Sequence, residues 1–156
     1  MNPRTRPARI SPLDAHLGFW LRFVSNHVSA EFERAVEARG VSVSEWVALR
    51  TLHDQAGTTH AALMAALGMT KGAVSKVVSR LHDKGLVTRA VHAVDARAQV
   101  LALTPAGRAL VPALAHDADA NDARFFGHLP AGQRRQFMAL LKDRVHHHGL
   151  EQVPVS

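Results

Sequence analysis

Apolar residues return every three or four positions through most of this chain, and that period divides it into helices. Leu13, Leu17, Trp20, Val24, Val28 and Phe32 predict one long amphipathic helix from Leu13 to Arg39, started by Ser11–Pro12 and stopped by Gly40. In the next segment Trp46, Leu49 and His53 form a stripe that Val47 and Leu52 widen. Ser42 and Glu45 stand there at capping-box spacing, and Gly57 supplies the end. A shorter third helix follows Thr59 through "HAALMAAL" to Gly68. Thr70 caps a fourth, in which Val74, Val77, Val78 and Leu81 make one apolar face and Gly85 marks the exit. Only about three residues, one of them glycine, separate the third and fourth helices, the arrangement of a helix-turn-helix.

The period then changes. "LVTRAVH" and "AQVLALT" are β-favouring runs joined by the polar link "AVDAR", so a hairpin follows the helix-turn-helix and the whole reads as a winged helix. Thr104 as N-cap and Pro105 at the first helical position restart a helix, along which Leu110, Leu114, Asn121 and Phe125 keep roughly to one side. "GHLP" at 127–130 breaks it, and a last helix from Ala131 carries Phe137, Leu140, Leu141 and Val145. The fold class expected is mainly α with a small β-hairpin wing. The first and last helices exceed what a winged helix needs, and dimerisation is the economical way to cover their apolar stripes. The chain divides into a flexible basic arm (1–12), an N-terminal dimerisation helix (13–40), a winged helix-turn-helix (41–103), C-terminal dimerisation helices (104–148) and a tail (149–156).

Composition narrows the functional classes. Lys and Arg number 19 against 13 Asp and Glu, a formal charge of +6 that suits a polyanionic partner. The absence of cysteine excludes disulfides, thiolate metal sites and thiol redox sensing. No apolar run approaches the roughly 18 residues of a membrane span, and the proline-containing N-terminus has no apolar signal core, so a cytoplasmic protein without membrane partners is expected. No HExxH, Walker A, GxGxxG or GxSxG pattern occurs, which points away from an enzyme and from a cofactor. His146, His147 and His148 fall on different sides of any helix and cannot ligate one ion from regular structure; they read as a frayed terminus. His116 with Asp117 and Asp119 lacks the i, i+4 spacing of a helical metal pair, and no metal is expected.

With the elements placed, "GMTKGAVSKVVSRLHDKGLVTR" (68–89) and "DARAQVLALTPAG" (95–107) resemble the recognition helix and the wing signature of the MarR family of bacterial transcription regulators. Leu81, Gly85, Leu86 and Arg89 carry the first likeness. Asp95, Arg97, Leu103, Thr104 and Gly107 carry the second in register. The helix order fits from about residue 13 to 146. The pattern departs at Ala96, where a further arginine is frequent, leaving the wing to Arg97 and Arg89.

The resemblance implies a homodimer that binds double-stranded DNA. On the fourth helix, Gly72 and Ser75 permit close approach, while Lys71, Ser75, Lys76 and Ser79 offer donors to base edges or phosphates. Arg80 stands beside that face, and Thr70 opens it with the helix N-terminus. Arg97 at the wing tip, held by Asp95, suits a narrow minor groove. The family often binds small phenolic or aromatic carboxylates between its dimerisation helices and winged helix, releasing DNA. His16, Trp20, Phe23 and His27 on the first helix, with Trp46, Arg50 and His53 on the second, are the residues expected to bind such an effector. The competing readings are an architectural or protein-interaction winged helix, against which Arg89 and Arg97 argue, and an enzyme, for which no acid/base or nucleophile constellation exists.

Overall fold

The computed structural model describes residues 10–55, 57–91 and 99–150. The chain begins with a single 3₁₀ turn at Leu13–Ala15 and continues as α1 (Leu17–Glu37), α2 (Val43–Asp54), β1 (Thr58–Thr59), α3 (His60–Leu67), α4 (Lys71–Asp83), β2 (Val87–Val91), β3 (Gln99–Leu103), α5 (Pro105–Phe126) and α6 (Ala131–His147). Among the described residues no single helix is long and apolar enough to cross a membrane.

Side-chain caps set most of the helix starts. Ser42 accepts from the Glu45 amide while the Glu45 carboxylate accepts from the Ser42 amide, completing the expected box at α2. Thr59, Thr70 and Thr104 each accept from the amide three residues on, at Ala62, Ala73 and Gly107. Residues Gly68, Met69 and Thr70 join α3 to α4, and the two helices are bent by 106° relative to one another. Gly68 adopts φ +62, the left-handed conformation in which a side chain is unfavourable, so the sharp turn follows from the residue placed there.

Five expectations are corrected. The first helix starts at Leu17, not Leu13, because Pro12 seeds a separate turn closed by bonds from Ala15 and His16 back to Pro12 and Leu13. His16 is therefore extended backbone at the N-cap and outside the helical row it was assigned to. The second helix ends at Asp54 rather than Gly57, freeing Thr58 and Thr59 to form β1. The wing is thus an antiparallel three-stranded sheet of order β1-β3-β2, not a bare hairpin. At the other end α6 continues through His146 and His147, so those residues are helical rather than frayed.

One core organises the middle of the chain. Val36 and Val41 meet Ala48, Leu49 and Leu52 of α2, Leu63 of α3, Val74, Val77, Val78 and Leu81 of α4, Leu101 of β3, and Val111 and Leu114 of α5. The predicted valine stripe of α4 is buried in full. Behind it, Thr104 donates to the Gly85 carbonyl at 2.7 Å while capping α5. A Cβ at Gly107 would collide with the Leu86 carbonyl, so the Leu-Thr-x-x-Gly run lets α5 sit directly on the exit of α4.

Candidate nucleic-acid interface

Burial of Val74, Val77, Val78 and Leu81 leaves the opposite face of α4 free. Lys71, Gly72 and Lys76 are exposed there, and Ser75 and Ser79 are half-buried at its edge. A Cβ built on Gly72 meets nothing within 4 Å, so no internal contact requires glycine at that position. The space lies outside the protein, where a close-approaching surface would use it. The Thr70 hydroxyl is engaged as the cap, 3.4 Å from the Ala73 amide, and the first-turn amides of α4 have no acceptor within their own helix. Cationic side chains and unpaired amides at a helix start form a site suited to phosphate.

The wing comes to the same face through register. Thr58, Leu101 and Arg89 are paired across the three strands and so share one side of the sheet. The first two are buried, while Arg89 lies past the core and reaches α4, donating to Ser79 Oγ at 2.8 Å. Two residues expected to meet DNA independently are thus bonded to each other. His60, which the sequence reading left without a role, joins them at the start of α3. Partial burial, then the charges of Arg89 and Lys71, hold its imidazole below the ordinary histidine range, so it favours the neutral form beside two cations. Its position depends on sheet order, which no local spacing reveals. Asp95 and Arg97 lie outside the described residues.

Arg80 departs from the expected arrangement. It sits at the flank of α4 and turns toward α2, its Nε 3.4 Å from Glu45 Oε1. Lys84, at the C-cap of the same helix, reaches Glu45 Oε2 at 2.7 Å. The pull is the buried carboxylate, whose charge needs compensation away from water.

The residues expected to hold an effector are not gathered within one chain. On α1, Trp20 lies 6.3 Å from Phe23 between ring centroids, and Phe23 lies 4.7 Å from His27. The Trp20 indole donates to the Asp14 carbonyl at 2.8 Å. The groove that Trp20 lines, about 360 Å³, is shared with Val24 and Val28 of α1, Phe126 of α5, and Phe137 and Leu141 of α6, none of them from α2. Trp46 packs half-buried on the core. Arg50 pairs with Asp54, with His53 Nδ1 3.6 Å away, and Arg50 draws the Asp54 carboxyl below its usual range. Among the described residues no group of three or more His, Asp or Glu is placed to hold a metal ion.

The comparisons with known proteins agree on one family. The MarR family model matches residues 39–98. The chain is 33% identical over 129 residues to the HTH-type transcriptional repressor Rv2887 of Mycobacterium tuberculosis, covering 83% of this chain and 93% of that protein. The structure of Rv2887 in complex with p-aminosalicylic acid superposes with a TM-score of 0.65 at 30% identity, covering 82% of this chain and 97% of the other. CouR from Rhodococcus jostii, bound to p-coumaroyl-CoA, superposes with a TM-score of 0.74 at 26% identity over 86% and 94% of the two chains.

Proposed function

Since the chain belongs to the MarR family of transcriptional regulators, we propose that it is a ligand-responsive repressor that binds a palindromic operator as a homodimer. The observation that carries the reading is the divided α4. Its valine face is buried, and its opposite face presents Lys71, Gly72, Ser75 and Lys76 around open space at Gly72. Two such helices in a symmetric dimer enter successive major grooves about one DNA turn apart. Arg97 of each wing is the residue assigned to the flanking minor groove, with Asp95 as its partner by the family resemblance, and Arg89 holds the wing against α4.

Residues 13–40 and 104–148 form the dimer framework, and 41–103 the reader. The framework assignment rests on the exposed apolar rows of α1 and α6. The effector is a small aromatic acid. Rv2887 and CouR hold p-aminosalicylic acid and p-coumaroyl-CoA, each of which carries a phenol ring. The α1 aromatics and the Trp46, Arg50 and His53 group are candidates for contact with it. The effector acts by preferring a spacing of the two α4 helices that differs from the DNA-bound one. Rv2887, matched over 93% of its length, is a transcriptional repressor, which supports a regulator over an enzyme.

The test is binding of the purified protein to the DNA upstream of its own gene, across salt concentrations, against a scrambled duplex. A sequence-dependent complex that p-aminosalicylic acid dissociates supports the reading. Equal affinity for both duplexes with a steep salt slope means an architectural DNA protein instead.

A further inference from the structure

A chain of polar contacts crosses the turn between α1 and α2 and ends on α4. Arg39 forks onto Asp117 of α5, with its terminal nitrogen 2.8 Å from Oδ1 and its Nε on Oδ2. The next residue, Gly40, turns at φ +80, and its carbonyl accepts from Lys84 Nζ at 2.8 Å. That ammonium also donates to Glu45 Oε2 at 2.7 Å, which accepts from the Ser42 amide at 2.8 Å. Glu45 is only 1% exposed. Its other oxygen has no hydrogen-bond partner among the described residues, and Arg80 Nε stands 3.4 Å away.

The arrangement is uneven in a way that matters for aim. The long side of α4 is held by valines and a leucine, whose burial is strong but non-directional. Directional bonds to the α1–α2 turn and the start of α2 concentrate at its C-terminal end, on Lys84, with Arg80 near the same carboxylate. The residues that face DNA, Lys71 to Lys76, stand at the opposite end. Over the 13 residues of α4 the lever is about 20 Å, so a tilt of about 5° at the anchored end displaces the other by about 1.7 Å. A shift of that size exceeds what a base-edge hydrogen bond tolerates.

We propose that Lys84 and Glu45 are positioning residues for operator reading: with the Arg39–Asp117 pair they strap α4 to the α1–α5 framework and set its angle without touching DNA. The inference rests on the operator-binding reading above and names the contacts through which the framework sets the spacing of the two reading helices.

The experiment uses a duplex enriched from a random-sequence library by the full-length protein, and its scrambled counterpart. The variants are Glu45→Gln, Lys84→Met and Arg39→Gln, each checked for fold by circular dichroism. Glutamine keeps the capping box, and a Glu45→Gln/Lys84→Met double variant removes both charges together if Lys84→Met alone leaves a carboxylate too costly to bury. Glu45→Gln and the double variant are expected to lose about tenfold in affinity for the enriched duplex, and Arg39→Gln a few-fold. Binding to the scrambled duplex and the salt slope stay unchanged. Tighter binding by Glu45→Gln would mean that the carboxylate acts only as a nearby negative charge, and would overturn the proposal. So would a salt slope reduced by about one in Lys84→Met with equal loss on both duplexes, the mark of a phosphate contact. Variants that bind like the wild type also overturn it. Failure of the library to yield any preferred duplex removes the operator reading itself, and this inference with it.

Discussion

The middle of the chain and its two ends carry similar apolar sequence and use it differently. Between Val36 and Leu114 the stripes of five helices and two strands close on one another, and the helix-turn-helix buries its face there. Outside that span Leu17 is 89% exposed, Trp20 51% and Leu140 57%, and α6 buries none of its residues. The first region buries its apolar stripes within one chain. The second leaves its apolar rows open within one chain, and the proposed homodimer would cover them with a surface of the same kind. The winged helix can therefore be altered for DNA contact without disturbing the framework, provided the strap at Glu45 and Lys84 is left in place.

The contrast can be broken most severely in the core. Leu81→Ala removes a fully buried side chain beneath the reading face and is expected to cost about 2–5 kcal/mol, measured by urea unfolding. A cost below about 1 kcal/mol would mean that α4 is not held as described. On the other side, Phe137→Glu is aimed at the open groove of α1, α5 and α6. Sedimentation should report monomer, with operator affinity down about a hundredfold as the second half-site is lost and helical content retained. A variant that remains dimeric would move the interface elsewhere.

Gly72→Ala separates stability from reading within one helix. With no neighbour within 4 Å of the new Cβ, the fold should gain about 0.5 kcal/mol from the better helix former, while operator affinity falls about tenfold. Loss of stability instead would show that the space around Gly72 belongs to the chain itself. The smallest effect concerns pH. Because the His60 pKa is lowered in the fold, its contribution to stability is complete above about pH 6.5 and is lost as pH falls through the folded value. His60→Gln should flatten that part of the pH profile in urea midpoints. In an NMR titration, adding operator duplex should move the His60 pKa upward as phosphate comes near.

Local spacing made much of this legible beforehand. The valine stripe of α4, the Ser42–Glu45 box and the Thr59, Thr70 and Thr104 caps involve partners three or four residues apart, and all formed. The wing strands were readable from their texture, but β1 was not. Thr58 and Thr59 are β-favouring but too short a run to signal a strand, and they are extended because β3 offers an edge to pair with. The candidate site was legible in its residue types and not in its partners. Adjacency along the chain places Arg80 beside the basic face of α4, and a buried carboxylate on another helix stands 3.4 Å from its Nε. The effector residues were grouped by helical spacing, and the structure separates α1's row from α2's.

What the sequence determined by itself was the set of elements, their caps and which face of each is apolar, because those depend on contacts within a turn or two of the chain. The tertiary structure alone decided that Arg89 meets Ser79, that His60 lies near Lys71 and Arg89, and that Lys84 bridges Gly40 and Glu45. Lys84 and Glu45 are 39 residues apart, and Lys84 and Gly40 are 44 apart. Pairs so distant become neighbours only when burial of the shared core has fixed the helices and strands against one another.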